Sequence, residues 1–260
     1  MSTSKEGGTF WDHLDELRSC IIRILLVTAV MAVLAFFFKE VLFNVVLAPS
    51  RDDFISYRLL GVEHFALHLM NTGLTEQFLI HMKVAFYCGL LMASPYVLYE
   101  LFAFVSPALY DKERRPAVKV VACAYAMFIL GTLVNYFIVF PLTVRFLGTY
   151  QVSPDVTNML TIQSYADTLI SMSLVLGIVF ELPVVSWLLA MLGIIGWEQM
   201  ARLRKHALVV ILVVSAIITP TTDAFTLFVV ALPIWLLYEA SIIVVRITRR
   251  KKGREVSSEA

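Results

Sequence analysis

Acids, histidines and cysteines are the residues of this chain whose types and spacing could do chemistry. Three acids stand out by their surroundings. Glu16 lies in the segment Phe10-Trp11-Asp12-His13-Leu14-Asp15-Glu16-Leu17-Arg18. Glu113 sits beside Lys112, Arg114 and Arg115, and Glu181 lies alone in the middle of an apolar run. A carboxylate among basic side chains stays ionised. It can accept the planar fork of a guanidinium, a geometry that lysine does not reproduce. A charge at mid-membrane depth costs ~2.5–3.5 kcal/mol on insertion scales, so an acid kept there is a functional candidate. The alternatives are ordinary: a solvated helix face for Glu16, surface ion pairing for Glu113 and a helix–helix hydrogen bond for Glu181. His64 and His68 are four apart, but residue 65 is Phe, so the HExxH zinc pattern fails and no metal is expected. Cys20, Cys88 and Cys123 are odd in number and lack ligand spacing. They read as small buried hydrophobes, with no disulfide framework. GxxxxGK[ST], GxGxxG and GxSxG are all missing from the sequence. No nucleotide chemistry, cofactor, serine nucleophile or enzymatic activity is therefore expected, and no nucleic acid.

The elements that must position these groups are membrane helices. The chain has 260 residues, of which 59% are hydrophobic and 16% charged, with a mean hydropathy of +0.81. A water-soluble fold of this size needs more polar surface than that, and a disordered chain needs far less apolar content. The apolar residues come in long runs, not in the short alternating segments of outer-membrane strands. The predicted fold is an all-α integral membrane protein with six transmembrane helices, at about 20–38, 78–104, 120–144, 168–195, 207–219 and 224–245. Residues 1–19 form an amphipathic N-terminal segment that runs into the first span, and 246–260 a basic tail. The run Ala207–Thr219 is too short to cross a ~30 Å hydrocarbon core. Pro95, Pro183 and Pro233 inside runs predict kinked helices and a concave bundle.

Charge sets the orientation. With the N-terminus inside, the inner side receives most of the 21 Lys and Arg residues, including Lys112–Lys119, Arg202–Lys205 and the tail. The outer side receives Lys39, Arg51, Arg58, Lys83 and Arg145. The positive-inside rule then puts both termini in the cytoplasm. Met1–Arg18 is more acidic than basic, with no small-residue cleavage site after the first run, so that run is expected to stay as an anchor.

Two motifs carry a family resemblance. His13-Leu14-Asp15-Glu16-Leu17-Arg18 resembles the N-terminal signature of TatC, the multi-span subunit of the twin-arginine protein translocase. The stretch from Pro95 through Tyr99, Phe104 and Pro107-Ala108-Leu109-Tyr110 to Glu113-Arg114-Arg115 resembles that family's most recognisable segment. Ala48-Pro49, Phe180-Glu181-Leu182-Pro183, and Thr219-Pro220 with Asp223 match in order as well.

The resemblance implies six membrane helices with both termini inside and the last two short. It implies a core subunit that recognises N-terminal signal peptides carrying paired arginines. Such a subunit works with the single-span partners TatA and TatB in an oligomeric complex in the bacterial inner membrane. It exports folded cargo using the proton-motive force. By motif match, Glu16 and Glu113 would receive the arginine pair, with Arg18, Arg114 and Arg115 setting their positions. Pro49, Pro95, Phe104, Pro107, Leu109 and Tyr110 would shape the scaffold. Glu181 would be an intramembrane polar spot, and Thr219, Asp223 and Thr226 a docking spot for a partner helix. Here the chain departs from the family pattern: Thr221 follows Pro220 where many members have a second proline, and Leu227 stands where glutamine is common. Charged hydrogen bonds contribute ~1.5–3 kcal/mol each, and micromolar binding needs ~8 kcal/mol. The signal peptide's apolar stretch must therefore add contacts, expected along the concave face of the bundle. The rival function is a proton-coupled small-molecule transporter with Glu181 as relay.

Overall fold

A computed structural model of the chain describes residues 10–59, 67, 69–105, 117–150, 153, 159–219 and 223–259. The helices are α1 (Phe10–Phe36), α2 (Lys39–Val46), α3 (Ile55–Leu59), α4 (Glu76–Val105), α5 (Ala117–Val134), α6 (Phe140–Thr149), α7 (Ile162–Val179), α8 (Leu182–Met191), α9 (Trp197–Arg202), α10 (Arg204–Ile218) and α11 (Ala224–Glu259). A π-helical turn, Asn135–Val139, joins α5 to α6. The strands β1 (Leu69–Met70) and β2 (Leu160–Thr161) pair in parallel, Leu69 opposite Leu160.

Among the described residues, five stretches are long and apolar enough to cross a membrane: Leu14–Phe36, Glu76–Phe104, Val118–Thr149, Ile162–Met191 and Ala224–Arg249. The 15-residue α10 is the short helix. At ~1.5 Å per residue it reaches about 22 Å. The expected shortness of the last two helices therefore falls on α10. In α11 the apolar stretch runs on, as helix, to Glu259. Its continuation is rich in Lys and Arg, which are good helix formers.

Helix ends differ from the apolar runs because polar residues can extend a helix past the hydrocarbon. The stretch expected as a connector after Val144 is helical to Thr149. The fourth span begins at Ile162 rather than residue 168, where the Thr161 hydroxyl accepts from the Ser164 N–H at 3.1 Å and caps the helix. It ends at Met191, and Gly193 then takes φ 78°, the left-handed conformation that ends a helix without a Cβ clash. This span is also interrupted at Phe180-Glu181, so Pro183 opens α8 and kinks no continuous helix. Pro95 and Pro233 do lie inside α4 and α11.

Two prolines illustrate how freed carbonyls are re-satisfied. Pro95 cannot donate to Leu91, four residues back, and the Ser94 hydroxyl donates to the Leu91 carbonyl at 2.7 Å. Pro141 likewise frees the Phe137 carbonyl, which accepts from the Ser56 hydroxyl. In lipid such substitutes avoid an orphaned backbone acceptor.

The chain divides into two compact units, residues 1–42 with 81–125 and residues 43–80 with 126–260. In the first, α1 and α4 run antiparallel. A Cβ on Gly89 would come within 2.4 Å of the Ala32 backbone nitrogen, so the two helices touch backbone to backbone. His81 is only 8% exposed. It stacks on Phe36 at 4.1 Å and hydrogen-bonds to the Phe36 carbonyl at 3.1 Å. In the second unit, the π-helical turn packs on α7 with the Asn135 amide donating to the Ser173 hydroxyl at 2.7 Å, and α11 packs on α8 and α10. Arg204 bridges α10 to Glu239 of α11 at 2.8 Å. Arg249 donates to the carbonyls of Gly193 and Ile195 at 3.1 and 2.9 Å.

Candidate functional site

The site begins with a stripe on α1. Glu16, Cys20 and Arg23 are four and three residues apart, which puts them on one helix face. Cys20 is 2% exposed, and Arg23 reaches across to α4. The Arg23 guanidinium donates to Glu100 Oε2 at 2.9 Å, and the Tyr96 hydroxyl donates to Glu100 Oε1 at 2.7 Å. Glu100 is 8% exposed. It therefore does not snorkel outward, as a charge near the end of a run would be expected to do. Both of its oxygens are bound by protein.

The contacts Phe36–His81, Ala32–Gly89 and Arg23–Glu100 step along the two helices in opposite directions. That register locates Glu16. It lies seven residues before Arg23, about 10.5 Å along the axis, while α4 ends five residues after Glu100, about 7.5 Å further on. Glu16 thus stands level with the end of α4 or just past it. Glu16 and Arg18 are both exposed. Phe104, in the last turn of α4, is half-buried. Glu113, Arg114, Arg115, Pro107, Leu109 and Tyr110 fall outside the described residues.

Glu181 lies at the break between α7 and α8, in the residue before α8 begins. Its Oε1 is buried with no hydrogen-bond partner among the described residues. The simple helix–helix hydrogen bond weighed for it is therefore missing at that oxygen. An orphaned buried carboxylate oxygen is costly unless something else occupies it.

Thr219, Asp223 and Thr226, expected as a docking spot, divide by role. Asp223 caps α11: its Oδ1 accepts from the Thr226 N–H at 2.7 Å. Thr226 is fully buried, and its hydroxyl has no partner among the described residues. Thr219 is 5% exposed and donates to the Ser215 carbonyl at 3.0 Å. Thr219 nevertheless edges an open cleft of about 660 Å³ between α7 and α10, with Ser164, Asp167, Thr168 and Ser171 along one wall. The departure at Thr221 lies outside the described residues, as do its neighbours Pro220 and Thr222.

Pro49 is buried in a short 3-10 turn, Ala48–Ser50. Its carbonyl accepts from the Tyr57 hydroxyl at 2.8 Å. Burial pushes that phenol up to about 12, so it stays protonated and keeps donating. Pro95 is exposed on α4. The cysteines are unpaired, and Cys20 alone is fully buried. Cys88 is half-buried and Cys123 exposed, so the expectation of three buried hydrophobes fails for two of them. On a membrane helix an exposed apolar side chain costs little, because lipid is its solvent. No His/Cys/Asp/Glu group suited to a metal occurs among the described residues, while His64 and His68 lie outside them.

The sequence reading missed Glu100. The signal was present: Arg23 interrupts the first run near its start, and Glu100 sits near the end of the second. Antiparallel neighbours bring those two ends together.

Comparison with known proteins agrees with this architecture. Residues 12–233 match the family model described as Sec-independent protein translocase protein (TatC). The Sec-independent protein translocase protein TatC of Desulforapulum autotrophicum is 34% identical, over 100% of this chain and 92% of its own length. That of Koribacter versatilis is 35% identical, over 96% of this chain and 90% of its own. A crystal structure described as the twin-arginine translocase receptor TatC superposes with a TM-score of 0.77 at 32% identity, covering 91% of this chain and 99% of that one. Likeness of this extent to translocase proteins does not favour a small-molecule transporter. A multi-span helical membrane protein, matched along nearly its whole length, this chain belongs to the TatC family and is a non-enzymatic core subunit of the twin-arginine translocation system.

Proposed function

We propose that this chain is the signal-peptide receptor of its translocase, with Glu16 and Glu113 each taking one arginine of the twin pair. It sits in the bacterial cytoplasmic membrane with both termini inside and works with TatA and TatB in an oligomeric complex that moves folded cargo. The observation that carries the reading is the α1–α4 register, which sets the exposed Glu16 level with the end of α4. Two guanidinium forks call for two separately held carboxylates. Arg18, Arg114 and Arg115 hold the acids in position. A partner's single span docks at the end of α10, where Thr219 edges the cleft against α7, and Asp223 and Thr226 shape the hairpin beside it. The orphaned oxygen of Glu181 offers a polar contact to a partner helix or to water.

The test is export of a folded reporter in cells whose own TatC is deleted, with this chain, TatA and TatB supplied. An RR leader should be exported and a KK leader should not. Glu16→Gln or Glu113→Gln should each cut RR export by about tenfold or more, the scale of one lost charge-assisted hydrogen bond. Normal export by both variants, or of the KK leader, would overturn the reading.

A further inference from the structure

We propose that Arg23 and Glu100 are positioning residues for twin-arginine recognition. Their ion pair, steadied by Tyr96, fixes the height and rotation of α1 against α4, and with it the place from which Glu16 meets the signal peptide. The inference rests on the reading of Glu16 as an arginine acceptor.

Three features of the contact lead there. First, the pair joins the two helices on the very face that carries Glu16. Arg23 is seven residues along, two turns, so rolling α1 to break the bond swings Glu16 by the same angle. Second, the seam is held at its far end, where His81 stacks on Phe36 and bonds to its carbonyl, and Arg23–Glu100 is the polar pair at the end that carries Glu16. The close approach of Gly89 to Ala32 sets how near the helices come. Small residues of that kind set spacing, whereas a polar pair specifies register. Third, Glu100 is committed to the contact. It is 8% exposed, with one oxygen held by Arg23 and the other by Tyr96. A buried acid left without its cation is strongly unfavourable, so α1 settles where Arg23 can reach it. The Arg23 side chain keeps 53% of its surface open, so the bond is made at the rim of the seam.

Stability and positioning are separable by experiment. Full-length protein in nanodiscs is titrated with a synthetic RR signal peptide and its KK counterpart, and bound peptide is counted per folded molecule. The readout is the ratio of the two affinities, which a loss of folded protein does not move. Arg23→Ala and Glu100→Ala should each lower the RR-over-KK ratio by about tenfold. The swap Arg23→Glu with Glu100→Arg should recover most of it. Single variants that keep the wild-type ratio overturn the proposal, and so does a folded swap variant whose ratio stays near one. If the single variants do not fold, the swap decides alone. Glu16→Gln in the same titration tests the underlying reading. An unchanged ratio there overturns the acid-pair account itself, whereas a collapsed ratio there, with Arg23→Ala and Glu100→Ala unchanged, overturns the clamp alone.

Discussion

At the scale of single residues, the acids differ by what surrounds them. Glu16 is exposed on a helix face, Glu100 is withdrawn and doubly bound, and Glu181 has a buried oxygen with no partner among the described residues. The first suits a ligand that arrives from outside, the second a fixed internal contact, and the third a polar contact within the membrane. Replacing Glu181 by Gln or Ala should therefore leave RR-peptide binding intact and reduce export, measured separately. Unchanged export in both variants would reduce Glu181 to scaffold. Tyr57 offers a test of the segment after α2. Its folded-state phenol titrates near 12, above its ordinary value of 10.0, because burial disfavours the phenolate. The hydrogen bond to Pro49 is thus fully present below pH 10 and lost as pH rises through 12. Tyr57→Phe should destabilise that segment by about 0.5–1.5 kcal/mol in thermal melts of detergent-purified protein, and should remove this phenol's share of the alkaline loss. Residue type and the neighbours His13, Leu14 and Arg18 single out Glu16 in the sequence, and the structure leaves it exposed. Glu100 was illegible because hydropathy treats a charge near the end of a run as an interfacial anchor, and only the register of two helices reveals its cation.

At the scale of elements, the seam between α1 and α4 matters most. Gly89 is there for close approach: any Cβ meets the backbone of Ala32. Gly89→Ala should push the helices apart, costing about 1–3 kcal/mol, and should weaken RR-peptide binding along with stability. Wild-type melting and binding in that variant would show that the seam gives way freely. Helix existence was legible from the apolar runs, and so was the shortness of the run at 207–219, which becomes α10. Helix ends were not. Arg145 interrupts the hydropathy of a helix that runs on to Thr149, and Gln163, Ser164 and Asp167 mask the helix start at Ile162, because a polar side chain breaks an apolar run without ending a helix. The break at Phe180-Glu181 was masked for a different reason: Pro183 marks a disruption but does not say whether the helix bends through it or restarts.

At the scale of the whole molecule, near-neutral net charge conceals a biased distribution of Lys and Arg. A cysteine introduced at Ser258 in a chain freed of its native cysteines should react with a membrane-impermeant maleimide only after the inner membrane is opened. Labelling of intact spheroplasts would reverse the proposed orientation. The apolar majority of the chain specifies its solvent, and the proposed task rests on a small set of charges. The central claim is that two acids on the inner side read two arginines, and photocrosslinking tests it most directly. A photoreactive residue at position 16 or 113, in membranes containing the assembled complex, should crosslink an RR signal peptide and should fail with its KK counterpart. Equal crosslinking of RR and KK at both positions would contradict the account.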